Sequence, residues 1–172
     1  MSEKIGVTNR FMDEAGKGIS VDFEGVFACD QLLKFYNPNR KKKGKSIVFV
    51  NTASSKMKNG HYCAIAINWE RMIVIVFCSL ALSWFDPNIE QFVQNFLRQH
   101  PKFTLKLSPF QIQPTQSYFC GIHTLAFLAS QHKRFGESFE DFYTRFERSA
   151  FNLKENDKIV LKYVLNFIEK SL

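Results

Sequence analysis

A histidine and a cysteine, each next to a glycine, are the residues of this sequence that are best placed to act together. His61 follows Gly60 and opens an apolar run typical of a strand. Cys120 precedes Gly121 and opens an apolar stretch typical of a helix. The positive end of a helix stabilises a thiolate, and an imidazole can deprotonate the thiol and later protonate a leaving amine. The pair therefore predicts nucleophilic acyl transfer.

A glutamine adds a third group of the kind that this reaction needs. Gln113 lies seven residues before Cys120, and its side-chain amide, together with the backbone N–H of Cys120, can form an oxyanion hole for a reacting carbonyl. On the residues alone, structural interpretations stay open. A cysteine on an apolar helix is most often a core residue, and a histidine at the start of a strand is most often a surface or capping residue.

Several segments around these residues resemble the adenovirus-type cysteine proteases (adenain-like), which share the broad fold of the SUMO and ubiquitin-like-protein proteases. In chain order the segments are Phe23-Glu24-Gly25-Val26-Phe27, Val50-Asn51-Thr52-Ala53, Gly60-His61-Tyr62, Phe103-Thr104-Leu105-Lys106-Leu107-Ser108, Ile112-Gln113 and Cys120-Gly121. The resemblance implies an α+β fold. In it, a central and mostly antiparallel sheet packs against a central helix that opens at the nucleophile, with further helices towards both ends of the chain.

The resemblance also implies a role for each site residue. His61 is the general base and acid, Cys120 the nucleophile and Gln113 the oxyanion-hole donor. The family completes a triad with an Asp or Glu one strand after the histidine, but this sequence has Phe77-Cys78-Ser79-Leu80 there, so Cys78 stands at the position of the carboxylate. A thiol is a weak hydrogen-bond acceptor and stabilises an imidazolium poorly.

Three interpretations of this departure stay open. The protein can work as a Cys-His dyad, because a thiolate at a helix end depends less on a third member than a serine does. Alternatively, another side chain orients His61, the nearest in sequence being Asn68, Glu70 and Asp86. Asp86 is also expected to cap a helix that starts at Pro87. In the third interpretation the site is inactive and the chain is a binding protein.

Taken together, these features favour a viral-type cysteine endopeptidase that cleaves capsid or core precursor proteins near small, glycine-type residues. One alternative is a deubiquitinase-like or deSUMOylase-like protease of the same fold, and another is an inactive, basic protein that binds nucleic acid or capsid. A chymotrypsin-like viral cysteine protease also has the order His then Cys. That fold is a double β-barrel, and the helical patterns after residue 120 argue against it.

Basic residues gather in two segments that contain no acidic residue. The net charge is +7, whereas residues 31–69 and 91–136 alone sum to +13. The densest part comprises Arg40, Lys41, Lys42, Lys43 and Lys45. Such a distribution suits a polyanion, and we expect these five residues to bind nucleic acid. Because the two basic segments also contain His61, Gln113 and Cys120, we expect the bound polyanion to lie near the groove. A solvated loop is the alternative interpretation.

The implied cofactors follow from the same resemblance. No cofactor is required, but DNA is an expected activator, as in the adenoviral enzymes. Those enzymes also use a viral peptide that forms a disulfide just before the edge strand, where this sequence has Lys102. We therefore do not expect a disulfide-linked peptide here.

The elements that must position these residues can be read from the apolar pattern. A first helix over residues 8–15, ended by Gly16 and Gly18, precedes three strands at residues 46–51, 62–68 and 72–78. A helix starting at Asp86-Pro87, an edge strand at residues 103–107 and a buried helix from Cys120 follow. Two further helical patterns, at residues 137–149 and from Asn156, complete the chain.

Length and composition set outer bounds. The 172 residues suit one cysteine protease domain, residues 1–172, and we expect a monomer. No apolar run reaches the roughly 18 residues of a membrane span, and the polar start predicts no secretory signal. Four scattered cysteines without CxxC spacing favour neither a disulfide framework nor a metal site. The expected compartments are the host nucleus and virion, or the cytoplasm.

Overall fold

Five strands form one mixed sheet at the centre of the protein. The computed structural model describes residues 8–56, 60–81, 86–132 and 137–171. In spatial order the strands are β1 (Phe23–Ala28), β2 (Lys45–Asn51), β3 (Tyr62–Asn68), β4 (Ile73–Phe77) and β5 (Thr104–Leu107). The central strands β2, β3 and β4 form the predicted antiparallel meander, whereas β1 and β5 run parallel to their neighbours at the two edges.

Six helices cover the sheet, which makes the fold α+β as the sequence predicts. They are α1 (Asn9–Ile19), α2 (Cys29–Phe35), α3 (Pro87–Gln99), α4 (Cys120–Ser130), α5 (Phe139–Tyr143) and α6 (Leu153–Ser171). A short 3₁₀ turn, Pro38–Arg40, lies between α2 and β2. In the described part of the chain, none of these helices is both long and apolar enough to cross a membrane.

Apolar side chains fill both faces of the sheet, and each face has its own helices. Phe49, Ala64 and Phe77 point to the face covered by α1, α4, α5 and α6. Val50, Ile65 and Val76 point to the face covered by α2 and α3. Because successive strand residues alternate between faces, the central strands are buried on both sides, which explains their continuous apolar runs.

The α4 helix is the buried centre of the helical layer. Nine of its eleven residues are buried, and it contacts α1, β3, α5 and α6. A helix apolar on all sides is expected in such a position. Because α4 packs against β3, its first residue, Cys120, lies at the end of the sheet where β3 begins.

The pairing of β2 with β3 shows which residues lie at each end of the sheet. Asn51 pairs with Tyr62, next to His61, at one end, and Lys45 pairs with Asn68 at the other. We call the first the catalytic end and the second the basic end. The strand β2 has seven residues, and at a rise of roughly 3.3 Å per residue the two ends lie about 20 Å apart.

Some element boundaries differ from the predicted ones. The first helix does not end at Gly16 and Gly18 but continues to Ile19, and the last helix begins at Leu153 rather than Asn156. Asp86 caps α3 as predicted, since its carboxylate accepts the N–H groups of Asn88 and Ile89. Within the two basic segments, Lys58, Lys133 and Arg134 lie outside the described part of the chain.

Candidate active site

Three side chains converge at the catalytic end. His61 lies directly before β3, Cys78 directly after β4, and Cys120 is the first residue of α4. His61 and Cys120 are joined by a side-chain hydrogen bond, and Nε2 of His61 lies 3.4 Å from Sγ of Cys78. The structure thus brings together three of the residues that the sequence predicts for the site.

The backbone of His61 is held by the segment that follows β2. The N–H of His61 donates to Oγ1 of Thr52 at 2.9 Å, and the N–H of Thr52 donates to the His61 carbonyl at 2.9 Å. At Gly60, an added Cβ would lie 2.0 Å from Oδ1 of Asn51 and 2.5 Å from the backbone nitrogen of Ala53. The segment Asn51-Thr52-Ala53 therefore fixes the histidine, and the close approach requires glycine at position 60.

The sulfur of Cys120 lies among hydrogen-bond donors. Besides His61, the backbone N–H groups of Tyr62 and Gly121 donate to it. The helix start adds the positive end of the α4 dipole. Thr124, one turn further on, donates from its hydroxyl to the carbonyls of Cys120 at 2.8 Å and Tyr62 at 3.2 Å, and so ties this first turn to β3.

These contacts shift the pKa values of both partners. Burial opposes a thiolate at Cys120, but the hydrogen bond and positive charge of His61 and the backbone N–H donors outweigh it, so the pKa of the thiol is lowered. Burial likewise opposes the charged imidazole, but the hydrogen bonds to Cys120 and Cys78 raise the pKa of His61 to about 9. Both shifts favour a thiolate–imidazolium pair at neutral pH.

Cys78 faces the imidazole from within the protein. It is 1% exposed, and its backbone N–H donates to Oγ of Ser108 at 2.8 Å, which fixes the residue after the end of β4. Two of the three alternatives to Cys78 lie elsewhere, and the third, Asp86, is close enough to Cys29 and Cys63 that its charge, after burial, raises the pKa of both thiols. Asn68 is at the basic end, where its side chain accepts the N–H of Arg71, and Glu70 follows it in the turn to β4. Asp86 serves as the cap of α3.

Gln113 is buried and held at both ends of its amide. Ser79 donates from its hydroxyl to Oε1 at 2.5 Å, and Nε2 donates to the carbonyl of Ser117 at 2.8 Å. The carbonyl of Ser79 also accepts the backbone N–H groups of Ile112 and Gln113. Ser117 uses one of the two Nε2 hydrogens, so an oxyanion role for Gln113 depends on the second.

The helix α6 supports this loop through two residues that sequence reasoning missed. Asn156, which is fully buried, donates to the carbonyl of Ile112 at 2.9 Å. Asp157 accepts the hydroxyl of Ser117 at 2.7 Å and lies 2.8 Å from Nε2 of His123. The only visible pattern in this part of the sequence is apolar, so no sequence signal could have linked these two residues to the site.

Cys63 is a further neighbour whose position sequence reasoning did not connect with the site. It is fully buried in β3, as expected of a core residue, yet it lies two residues after His61. Ligand atoms of His61, Cys63 and Cys78 lie within 4.8 Å of one another. Within the described ranges, these three residues form a cluster whose ligand atoms are close enough together to hold a metal ion.

The basic residues predicted to bind nucleic acid lie away from this site. Residues 40–45 precede β2 at the basic end, about 20 Å from the catalytic end by the length of that strand. The expectation that this stretch lies near the groove is therefore wrong, because proximity in sequence to β2 places it at the opposite end of the strand from His61.

Contacts at the basic end join the two basic segments. The turn before residues 40–45 contacts the end of α3, where Asn39 Oδ1 lies 2.8 Å from Nε2 of His100. Lys102 follows this helix and is exposed. Within residues 40–45, Lys41 lies 3.6 Å from Asp22 and Lys45 donates to the carbonyl of Gln131, while Arg40, Lys42 and Lys43 are exposed.

Comparisons with known proteins agree with the architecture. No family model and no curated protein matches the sequence. Among solved structures, the chain is similar to the central domain of the uncharacterized Lpg1148 protein from Legionella pneumophila, with a TM-score of 0.52, 9% identity, and coverage of 96% of this chain and 99% of that one. It is also similar to the SUMO protease Ulp1 with its catalytic cysteine oxidized to a sulfinic acid, with a TM-score of 0.50, 13% identity, and coverage of 96% and 80%.

These similarities establish the fold. The chain has the α+β architecture of the Ulp1-type cysteine proteases, which is the broad fold that the sequence resemblance implies. At 13% identity the chemistry rests on the arrangement of His61, Cys120, Gln113 and Cys78 themselves.

Proposed function

We propose that this protein is a cysteine protease in which Cys120 is the nucleophile and His61 the general base and acid. The observation that carries the proposal is the hydrogen bond between these two side chains, with the thiol at the first residue of α4. Gln113 and the backbone N–H of Cys120 act as oxyanion donors. The arrangement needs no cofactor for its chemistry.

Each step of hydrolysis has a group in place. The Cys120 thiolate attacks the substrate carbonyl, a C–S bond forms, and the carbonyl oxygen becomes an oxyanion. The imidazolium of His61 gives its proton to the leaving amine as the C–N bond breaks. His61 then takes a proton from water, and the resulting hydroxide attacks the thioester. Breaking the C–S bond releases the acid product and restores the thiolate and the imidazolium.

Cys78 makes the catalytic unit a dyad with a thiol behind the histidine. The thiol fixes the orientation of the imidazole through its contact with Nε2 but supplies no carboxylate charge. Against the opposing effect of burial, the hydrogen bond to Cys120 and then the contact with Cys78 raise the pKa of His61, while the hydrogen bond to His61 and the backbone N–H donors lower the pKa of the Cys120 thiol. A dyad therefore accounts for the site without a third charged residue.

The substrate that we propose is a precursor protein of the capsid or core class, cleaved near small, glycine-type residues. The support is the resemblance of the segments around His61, Gln113 and Cys120 to the adenovirus-type enzymes. A substrate of that kind places the protein in the host nucleus, the virion or the cytoplasm. DNA is the proposed activator, supported by the exposed Arg40, Lys42 and Lys43 at the basic end.

A second candidate is a protease for ubiquitin-like modifiers. The observation that favours it is the structural similarity to the SUMO protease Ulp1 over 96% of this chain. Such a protease cleaves after a Gly-Gly tail, so the two candidates share the reaction and differ in what lies on the amino side of the glycines.

The test is turnover of a fluorogenic peptide that ends in Gly-Gly, compared with turnover of SUMO and ubiquitin fused to the same reporter. The matched control pair is Cys120→Ala against Cys29→Ala, since Cys29 is a buried thiol of α2 whose sulfur lies 3.2 Å from the Thr52 carbonyl. Cys120→Ala should abolish turnover and Cys29→Ala should retain it. Faster turnover of the SUMO or ubiquitin fusion than of the peptide would favour the protease for ubiquitin-like modifiers. Wild-type protein inactive on all substrates, with and without DNA, would leave the inactive binding protein as the function.

A further inference from the structure

Three metal-binding side chains meet on the inner side of the candidate active site. His61 lies directly before β3, Cys63 lies two residues later within that strand, and Cys78 follows the neighbouring strand β4. Ala64 pairs with Phe77 at this end of the antiparallel strands β3 and β4. The next residue on each strand, Cys63 and Cys78, therefore lies opposite the other. The ligand atoms of all three lie within 4.8 Å of one another.

The spacing fits a tetrahedral ion. Zinc bound by sulfur at about 2.3 Å and by nitrogen at about 2.0 Å separates an N and an S ligand by about 3.5 Å and two S ligands by about 3.8 Å. The observed separation of His61 Nε2 and Cys78 Sγ is 3.4 Å. Since no separation in the group exceeds 4.8 Å, closing the remaining gaps requires movements of at most about 1.3 Å.

The chemistry of the donors also suits zinc. Two thiolates and one neutral imidazole give a site of zero net charge around Zn²⁺, which suits a location where Cys63 is fully buried and Cys78 is 1% exposed. Binding releases one proton from each thiol. His61 is partly exposed, so it provides the route by which an ion reaches the two sulfurs.

We infer that His61, Cys63 and Cys78 form a Cys₂His binding site for Zn²⁺. This inference departs from the expectation of no metal site, which rested on the absence of CxxC spacing. Here two adjacent strands bring the ligands together, and only His61 and Cys63 are close in sequence. Three protein ligands leave a fourth position of the tetrahedron for water.

The consequence for activity rests on the proposed function. Zn²⁺ at this site occupies Nε2 of His61 and prevents the imidazole from carrying the proton between Cys120 and the leaving amine. Zinc is then a reversible inhibitor that acts through the histidine. Its distinguishing feature is Cys63, which has no part in the proposed reaction.

The experiment uses reduced, chelator-treated protein titrated with Co²⁺ and then displaced by Zn²⁺. The thiolate-to-cobalt charge-transfer absorption reports sulfur ligation without any need for proteolysis. Wild type, Cys29→Ser and Cys120→Ala should bind one ion per chain with the intensity of two thiolates. Cys63→Val, which removes the sulfur and keeps an apolar residue that is well suited to a strand, should bind at least tenfold more weakly and show at most half of that intensity.

Circular dichroism and thermal melting check the fold of every variant, and Cys78→Ala serves as the second ligand variant should Cys63→Val fail to fold. Absence of cobalt binding by the wild type overturns the inference. So does an unchanged affinity of Cys63→Val, an intensity of one thiolate in the wild type, or a loss of binding in Cys120→Ala, which would place the ion on the catalytic pair. None of these outcomes depends on turnover, so an inactive protein that binds cobalt as described would refute only the proposed function.

Discussion

The sulfur of Cys78 lies 3.4 Å from Nε2 of His61, so a thiol occupies the place from which a carboxylate would orient the histidine. The imidazole is hydrogen-bonded to Cys120 as well. Substitution of Cys78 can therefore distinguish an active Cys-His dyad from an inactive binding protein. An active dyad should respond when a charged side chain replaces the thiol next to the histidine.

Replacement of Cys78 by aspartate should increase kcat/KM. A carboxylate makes a charge-assisted hydrogen bond to the imidazolium, and a gain of about 1.4 kcal/mol over the thiol corresponds to an about tenfold higher rate. The same change should move the alkaline limb of the pH profile upward. Cys78→Ala is the control, and its kcat/KM should fall by less than about tenfold because a thiol is a weak acceptor. A Cys78→Asp variant with unchanged rate and pH profile would contradict an orienting position for residue 78.

Removal of the Gln113 amide should lower kcat with little effect on KM. Loss of one oxyanion donor reduces kcat by about 10²–10³-fold in comparable sites. Gln113→Ala and Gln113→Glu should therefore behave alike in steady-state kinetics, since neither keeps the N–H donor. Gln94→Ala, an exposed glutamine of α3, is the matched control. A change confined to KM would show that Gln113 acts in binding instead.

The activity of chelator-treated protein should disappear on the alkaline side as pH rises through about 9. The pKa of His61 is raised to about 9, so the imidazolium that protonates the leaving amine is present at neutral pH and disappears above that value. The lowered pKa of Cys120 keeps the thiolate available below the ordinary cysteine range. The measurement is kcat/KM as a function of pH, and an alkaline limb near pH 6.5 would refute the ion pair.

Gly60→Ala should displace the histidine. A Cβ at this position would lie 2.0 Å from Oδ1 of Asn51 and 2.5 Å from the Ala53 nitrogen, so the strand entry must shift. We expect a loss of about 1–3 kcal/mol in the free energy of unfolding and a larger relative loss of kcat. Gly18→Ala in α1 is the control, because apart from its chain neighbours and the nearby helix backbone no atom lies within 4 Å of the added Cβ, and it should be neutral or stabilising. Urea unfolding and peptide turnover measure the two effects. Equal stability of wild type and Gly60→Ala would show that the clash is absent.

Charge reversal at the basic end should weaken DNA binding. Arg40, Lys42 and Lys43 are exposed, and their replacement by glutamate should lower the slope of log affinity against log salt by about 0.9 for each phosphate that the variant no longer neutralises. Replacement of Lys154, Lys162 and Lys170 of α6 by glutamate changes the net charge equally and is the control. Fluorescence anisotropy at several salt concentrations checks the prediction. Identical slopes for the two triple variants would exclude residues 40–45 as the DNA-binding segment.

The sequence predicted the sheet and the neighbours of the site well, for identifiable reasons. The alternating and continuous apolar runs of β2, β3 and β4 leave few alternatives to strands, and each boundary lies within one residue of the prediction. The segment around Thr52 could be related to His61 because the family resemblance joins them. The physical reason, a pair of backbone hydrogen bonds, became visible only in the structure.

Other features could not be predicted because they depend on contacts distant in sequence. Gly16 was expected to end α1, but the ring of Phe23 packs so closely that an added Cβ would lie 2.4 Å from it, so glycine is required within the helix. Asn156 reaches the loop of Gln113 across 44 residues of sequence. Cys63 lies in an apolar run and was therefore interpreted only as a core residue. Its position opposite Cys78, next to the site, depends on the pairing of β3 with β4.

In the proposed function, the distance of about 20 Å along β2 would separate the DNA-binding segment from the active site. A polyanion held by Arg40, Lys42 and Lys43 leaves the groove at Cys120 open, so bound nucleic acid would not compete with a peptide substrate. Proteins that lie on the same polyanion would then meet the thiol at an effective concentration set by their shared tether, which reaches the millimolar range for short spans. Cleavage would in that case depend on which proteins share the strand, even with little sequence discrimination in the groove itself.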